Sequence, residues 1–437
     1  MGYTTIINLI FGSLISLFGL LVFHFIFFAI VGIFAKKRFP KTDKKLKYAI
    51  LIPTRNEAKV VGNLLDSIHK NDYPDELLDI FVVAHNCTDD TAEVARAHGA
   101  TVYEYDNPDE KTKGFALKYL ISCIQRDRGS DVYDGFMVFD ADNILNEDYI
   151  ERMNEAFVAH DGKNTITSYR NSKNFAHSIL TAIYGLYFLY TCRFEARGRT
   201  VLGCSTRVSG TGYLFPAETI KDGWKYLTLC EDWEFTADQL LLDRKIIYCD
   251  DAVFYDEQPT SVKVMLKQRL RWAKGHLLVC VTRCADIFKA LFRSKKHGGS
   301  AHKISVYDFS VNIAPIGIIS FCLSFFQMLL LCFSPLFGDY TAWAELGGYL
   351  KTALTGLACT YGVAIIGSFV LYALERKRIP KVRLWKKVIS SILWPGFVLI
   401  AIPLEIISLF VRNLGWTPIP HSDTTKIEEL SAAAEKD

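Results

Sequence analysis

Long uncharged runs alternate with mostly polar stretches along this chain. Residues 1–35 carry no Lys, Arg, Asp or Glu, and neither do 309–338 or 352–374. A helix needs about 20 consecutive apolar residues to span a bilayer, so each run is long enough. A cleaved signal peptide would show a basic start, a shorter apolar run and a small-residue cleavage site. The first run has none of these and is expected to stay as an anchor, with His24 as a packed or interfacial residue rather than a ligand. A fourth apolar stretch, 388–411, is interrupted by Pro395, Pro403 and Glu405, a pattern compatible with crossing, kinking or re-entering.

The polar stretches set the expected orientation. Lys36, Lys37, Arg38, Lys41, Lys44, Lys45 and Lys47 follow the first run at once. Cytoplasmic loops carry an excess of Lys and Arg, so the N-terminus is expected outside and the next domain inside. The segment 339–351 has one Lys and no Arg, whereas 375–387 has seven Lys and Arg, which makes the former external and the latter cytoplasmic. The expected division is a membrane helix in 1–35, a cytoplasmic domain in 36–300, a membrane region in 301–411 and a polar tail in 412–437. If 388–411 crosses, the tail lies outside.

Within 36–300 the period changes. Tyr48-Ala-Ile-Leu-Ile52 is a buried strand by pattern, and Ala58–His69 is an amphipathic helix. Ile80-Phe-Val-Val-Ala84 is a second strand with a helix from about Thr91, and Phe136-Met-Val-Phe139 is a third strand. Strands alternating with helices imply a mostly parallel α/β sheet, whose ligands bind beyond the carboxyl ends of the strands. Two apolar stretches stand apart. Ile179–Cys192 is aromatic and too short to span, and from Thr260 to Lys296 hydrophobic residues recur at helical spacing among many Lys and Arg. Both are expected to lie in the membrane interface, the alternative being ordinary core helices.

Composition adds little. Half of the 437 residues are apolar, 22% are charged and the formal net charge is only +3, so bulk charge names no partner. The eleven cysteines form no C-x-x-C pair, and no second Cys/His pair completes a zinc site with Cys280 and Cys284. Reduced, scattered thiols are expected.

The candidate chemistry lies at the strand ends. Pro53-Thr-Arg-Asn-Glu57 follows the first strand, and His85-Asn-Cys-Thr-Asp-Asp90 follows the second. There is no G-x-G-x-x-G and no P-loop, so any nucleotide site is of another kind. Lys113-Gly, at a helix start, suits a diphosphate, or is a surface lysine. Asp140-Ala-Asp142, after the third strand, offers oxygen ligands of the kind hard cations take while bridging to substrate phosphates. Gly210-Thr-Gly212 lets backbone approach a ligand closely, or is a plain turn. Glu231-Asp232 contains a carboxylate able to accept the proton of an attacking hydroxyl, or is an acidic helix start. Gln268, Arg271 and Trp272 fall on one helical face, where Arg can pair with phosphate and an indole can stack on a sugar; His276 is expected to be structural.

In this order the motifs P-x-x-N-E, T-D-D-T, K-G-x-A-L, D-x-D, G-T-G, E-D and Q-x-x-R-W resemble the family 2 inverting glycosyltransferases, specifically the membrane-integrated cellulose, mixed-linkage β-glucan, chitin and hyaluronan synthases. The resemblance covers roughly residues 48–300. It implies a GT-A type α/β domain combined with about four membrane helices in the plasma membrane. It implies Pro53, Thr54, Asn56, Glu57 and Asp89 around the donor nucleoside, and Lys113 near its diphosphate. Asp140 and Asp142 would hold donor and Mg²⁺ or Mn²⁺, with Gln268 and Arg271 at the diphosphate. Asp232 would be the base, with Glu231 beside it, and Trp272, Gly210, Thr211 and Gly212 would face the acceptor.

The implied reaction is processive transfer from UDP-glucose to a growing β-glucan that is fed across the membrane, with no nucleic-acid partner. Chitin-like or hyaluronan-like products are the next expectation, then single transfer to a lipid, and last a scaffold without activity. Three departures stand out. Ala84-His85 replaces two acidic residues common in the family, the F-x-V-T-x-K gating loop of cellulose synthases is absent, and regulation by a cyclic dinucleotide is not expected. With fewer spans than cellulose synthase, an export channel would need a second protomer.

Overall fold

The computed structural model describes residues 2–129, 131–293, 299–412, 414–415, 419 and 421–430. Its centre is an eight-stranded mixed sheet of β1 (Tyr48–Thr54), β2 (Leu78–His85), β3 (Thr101–Tyr105), β4 (Gly135–Val138), β5 (Ile144–Leu145), β6 (Thr165–Ser172), β7 (Tyr213–Pro216) and β8 (Ile246–Asp256). The spatial order is β3-β2-β1-β4-β7-β6-β8-β5. β1 is parallel to β2 and β4, and β2 to β3, whereas β7 runs antiparallel to both β4 and β6.

Alternation along β1 divides the core. Tyr48, Ile50 and Ile52 face one side with the helices Val61–His69 and Tyr149–Val158. Ala49 and Leu51 face the other with Lys113–Arg128 and Glu231–Leu241. Successive strand residues point to opposite faces, so one continuous apolar run fills two layers. The pairing of Tyr48 with both Leu78 and Gly135 brings the ends of β1, β2 and β4 to one edge, the edge at which ligands bind in such sheets.

Among the described residues, three helical stretches are long and apolar enough to cross a membrane: Tyr3–Phe34, Gly347–Leu374 and Leu384–Phe410. The pair Gly299–Ile313 and Ile316–Cys332, bent by 62°, makes a fourth if it is one span. Thr4 N donates to the Asp339 carboxylate at 2.9 Å and Tyr3 stacks on Phe337, so the N-terminus and the 333–340 turn share one side. The stretch 384–410 stays with the sheet domain at both ends. Lys386 donates to the Ala176 carbonyl at 2.7 Å, and Lys274 donates to the Ser408 carbonyl at 3.0 Å. The polar segment beyond it docks on the domain as well: Lys173 Nζ donates to the Asp423 carbonyl at 2.7 Å.

Of the two short amphipathic candidates, Ile179–Tyr190 is largely buried between β6 and the helices around Tyr372, Trp394 and Phe397. It is as much a core helix as an interface one. Val262–Leu291 is a single 30-residue helix with Met265, Ala273 and Val279 buried and Val262, Val281 and Phe288 exposed; residues 294–296 of that reading, and much of 412–437, lie outside the described residues. All eleven cysteines are free.

A buried ion cluster ties these parts together. Asp250 in β8 accepts from Arg197 at 2.6 Å and from Arg378 at 2.8 Å, and pairs with Lys36 at 3.2 Å. Glu375 accepts from Arg193 at 2.8 Å and from the Tyr169 hydroxyl at 3.0 Å. Burial alone would raise the Asp250 carboxyl, but Arg378, Arg197 and Lys36 hold it well below the usual carboxylate range. Removing one member of such a cluster strands the others without water. Asp250→Ala is therefore expected to destabilise the protein by about 3–5 kcal/mol, measured as a lowered Tm in detergent; an unchanged Tm would show that the cluster is stabilised by solvent rather than by Asp250.

Candidate active site

A cleft of about 240 Å³ opens at the carboxyl ends of β1, β2 and β4. Pro53, Thr54, Glu57, Lys113, Asp140, Asp142, Gly210, Glu231, Asp232, Gln268, Arg271 and Trp272 all line it, brought together from six separate motifs. Asn56, Asp89, Thr211 and Gly212 are not among the lining residues, and Asn56 and Asp89 are exposed. Asn56 has φ +58° and its Oδ1 accepts from Thr88 N at 2.7 Å, while the Asp89 carboxylate accepts from Ala58 N at 3.3 Å and Thr91 N at 3.2 Å. Thr211 Oγ1 accepts from Asp140 N at 2.8 Å. Gly212, at φ +66°, leaves no room for a side chain, because a Cβ would meet the Phe254 ring at 2.3 Å. These four residues shape the loops that carry the lining residues.

Lys113 sits between two pairs of carboxylates. Its Nζ bonds Asp140 and donates to the Gly210 carbonyl at 2.7 Å. A Cβ on Gly210 would lie 3.9 Å from Asp232 Oδ2. Burial raises the Glu231 carboxyl to about 7; Lys113 and Arg271 oppose the rise and Asp232 adds to it. Burial raises Asp232 too, against the Trp233 N–H, Lys113 and Arg271. Two adjacent carboxylates at a buried helix start cannot both shed protons as freely as in water.

Asp142 is treated in the opposite way. Burial would raise it, but His421, Lys173, the Glu257 N–H and Arg170 hold it below its ordinary value. Glu257 N donates to Asp142 Oδ2 at 2.8 Å. Arg170 is itself fixed by Asp256 through Nε at 2.7 Å. Burial also raises Glu57, whose Oε2 is buried without a hydrogen-bond partner.

On the side toward the apolar helices, Trp272 lies nearly parallel to Tyr187 at 6.4 Å and edge-on to Tyr184 at 6.5 Å. Gln268 Oε1 accepts from the Tyr184 hydroxyl at 2.8 Å, and Arg271 donates to the Leu229 carbonyl at 2.8 Å. His276 packs on Trp233 at 4.1 Å and is held neutral, lowered to about 3 by burial and by Arg207 and Arg271, in keeping with a structural role. Arg269 faces away, with its guanidinium 4.0 Å from the Phe397 ring centre.

The lining also includes Arg170, Tyr187, Arg207, Asp256, Glu257 and His421, which the sequence reading did not single out. None belongs to a recognisable motif, and His421 comes from the far end of the chain. Among the described residues no three His, Cys, Asp or Glu side chains form a cage for a metal ion. Asp140 and Asp142 nevertheless fit a hard cation that is completed by substrate phosphates and water, because both carboxylates open on the same cleft.

Comparison with known proteins agrees with this geometry. Residues 46–275, more than half of the chain, match the family described as glycosyltransferase like family 2. The chain is 24% identical over 245 residues to the probable glycosyltransferase YdaM of Bacillus subtilis, covering 56% of this chain and 58% of that one. It is 24% identical over 237 residues to a poly-β-1,6-N-acetyl-D-glucosamine synthase of Staphylococcus epidermidis, covering 52% and 54%. The match thus spans little more than half the length of these curated relatives. Among solved structures, a mannosyltransferase from Pyrobaculum calidifontis in complex with GDP-Man and Mn²⁺ shares the fold, with a TM-score of 0.55, 14% identity and coverage of 94% of this chain and 100% of that one. With the carboxylates, the lysine and the aromatic wall gathered at the strand ends and the family match spanning them, the chain belongs to the family described as glycosyltransferase like family 2.

Proposed function

We propose that the protein is a processive inverting hexosyltransferase that uses a UDP-sugar, with UDP-glucose the first choice, and builds a β-linked glycan at the inner face of the plasma membrane. The carrying observation is that two carboxylate sets, Asp140 with Asp142 and Glu231 with Asp232, open on one cleft that Lys113 also lines, with Lys113 bonded to Asp140 and acting electrostatically on the other pair. One set suits a donor diphosphate, the other a hydroxyl about to lose its proton.

In this reading the donor nucleoside lies along Pro53–Glu57 and its diphosphate between Lys113 and Arg271. A divalent cation held by Asp140 and Asp142 supplies charge neutralisation of the diphosphate. Trp272, with Tyr187 behind it, orients the acceptor sugar by stacking. Asp232 accepts the acceptor's hydroxyl proton as its oxygen bonds to the anomeric carbon and the bond from that carbon to the diphosphate oxygen breaks. Attack from the side opposite the leaving group turns an α-linked donor into a β-linked product. Lys113 and Arg271 stabilise the charge that develops on the departing diphosphate.

The choice of glucose rests on the family resemblance. Arg269, within the Q-x-x-R-W motif, packs on Phe397 and does not line the cleft. The relative named poly-β-1,6-N-acetyl-D-glucosamine synthase favours N-acetylglucosamine as the second reading. A membrane setting is supported by the three or four apolar helices, and an inner-face orientation by the basic segments 36–47 and 375–387.

The deciding measurement is UDP release by purified protein given UDP-glucose, UDP-N-acetylglucosamine, UDP-galactose or UDP-glucuronate with Mg²⁺ or Mn²⁺, followed by sizing and glycosidase digestion of the product. A glucanase-sensitive polymer from UDP-glucose alone is expected. Turnover with another sugar, or a single glycolipid, would overturn the choice of donor or of processivity. Asp232→Asn should lower turnover by about 10²–10⁴-fold while UDP binding is kept; full turnover would remove Asp232 as the base. Because burial raises the Asp232 carboxyl, and a base works only when deprotonated, the acid limb of kcat/KM should lie at higher pH than an ordinary aspartate would give. Glu231→Gln removes a neighbouring negative charge and should move that acid limb to lower pH; a limb that stays in place would assign it elsewhere. Trp272→Ala should raise the acceptor KM about tenfold or more with UDP affinity unchanged; an unaltered KM would reduce the indole to packing.

A further inference from the structure

Arg207 lines the cleft but has no task in the reaction outlined above. It lies just ahead of the Gly210 turn, in a stretch where Val208 is fully buried and its N–H donates to Thr236 Oγ1 at 3.3 Å. With Val208 turned into the core, Arg207 and Ser209 on either side of it are turned to the cleft, which both line. The Arg207 guanidinium stands 5.2 Å from the centre of the Trp233 ring. Trp233 follows Asp232 in the chain and packs on His276, one helical turn from Trp272.

The guanidinium is held from behind. Its Nη1 lies 2.6 Å from the Glu195 carboxylate. Thr191–Ala196 forms one wide π-helical turn, a geometry concentrated at functional sites. That turn carries Thr191 to the cleft and Glu195 to Arg207. Arg199 lies 3.7 Å from Glu195 and is itself fixed by Asp308, to which its Nε and Nη2 donate at 2.8 and 2.9 Å. Two guanidiniums thus face two carboxylates, with His24 Nε2 3.0 Å from Asp308 at the far end.

The part of Arg207 that remains unused points to a ligand. Among the described residues no carbonyl or side chain accepts a hydrogen bond from its Nε or Nη2. Arg199 Nη1 and Glu195 Oε2 are sealed in without a hydrogen-bond partner, but no nitrogen of Arg207 is. The Arg207 side chain is only 14% exposed, so these N–H groups open on the cleft rather than on bulk solvent. The parallel N–H groups along one edge of a guanidinium match two neighbouring oxygen atoms. A carboxylate, a phosphate or a pair of adjacent hydroxyls offers such atoms, and charge decides among them. Glu195 already balances Arg207, and Glu231 and Asp232 line the same cleft, so an anion gains little there and is repelled. An uncharged sugar gains the two hydrogen bonds without a charge to desolvate, and its apolar face has the Trp272 indole to lie on.

We propose that Arg207 is a specificity-determining residue of the acceptor subsite, binding two neighbouring hydroxyls of an uncharged acceptor sugar through its Nε and Nη2 edge while Glu195 positions the guanidinium and cancels its charge. This inference rests on the reading of Trp272 as the acceptor wall.

The test uses full-length protein in detergent with Mn²⁺, the nucleotide-sugar that supports turnover, and three added acceptor probes. Cellotriose and chitotriose are the uncharged probes, and a hyaluronan tetrasaccharide ending in glucuronate is the anionic one. UDP release gives kcat and the acceptor KM. Arg207→Lys keeps the charge but loses the fork, and should raise the KM for the uncharged probe about tenfold or more with UDP affinity by calorimetry unchanged. Arg207→Ala should do at least as much. An ion pair that only stabilises the fold would be restored by Lys and would show in the ligand-free Tm instead of the KM. Glu195→Gln leaves the guanidinium uncompensated, and should raise kcat/KM for the anionic probe relative to the uncharged one about tenfold. An unchanged KM in Arg207→Lys, a preference unmoved by Glu195→Gln, or an unmodified protein that prefers the anionic probe or is accelerated by none of the three would each overturn the proposal. Trp272→Ala separates the two levels. If that variant also leaves the acceptor KM unaltered, the acceptor reading itself fails; a raised KM there beside an unaltered one in Arg207→Lys removes only the role of Arg207.

Discussion

Seven carboxylates crowd one cleft: Glu57, Asp140, Asp142, Glu231, Asp232, Asp256 and Glu257. Away from water such a group is costly unless a cation or a set of hydrogen bonds faces it. The rest of the site follows from that constraint. Lys113 comes from the helix after β3, Arg170 from β6, Arg271 from the amphipathic helix and His421 from the end of the chain. Each element must be in place for the charges to balance, so the site is formed only by the complete fold.

The balance is uneven, and the unevenness divides labour. Asp142 is surrounded by His421, Lys173 and Arg170 and is held ionised, as a group that must hold a cation or a metal-bound phosphate requires. The Glu231–Asp232 pair has Lys113 and Arg271 nearby but is still raised by burial, which suits a group that must take up a proton. Environments that push neighbouring carboxylates apart mark acid–base and electrostatic roles in one site.

The same principle joins the catalytic domain to its apolar helices. Asp250 and Glu375 gather Lys36, Arg193, Arg197 and Arg378 from three segments. Phe397 packs on Tyr184 and under Arg269. The aromatic wall around Trp272 is therefore continuous with the apolar helices.

The sequence by itself determined three neighbouring strands, β1, β2 and β4, and most of the cleft lining. Apolar runs of period two and the polar motifs at their ends are local signals, and parallel strands in register carry those ends to one edge. Pro53–Glu57, Lys113, Asp140, Asp142, Glu231, Asp232 and the Gln268–Trp272 face were legible for that reason. Tertiary structure alone decided which of these side chains open on the cleft: Asn56, Asp89, Thr211 and Gly212 are used in holding loops, and Arg269 turns to Phe397. It also decided the path of 384–410 and the docking of 421–430. A polar tail has no hydrophobic period to announce a partner, and His421 meets Glu57 only because the fold brings together residues 364 positions apart. Contacts at that separation are set by the charge the interior must balance, which no local pattern records.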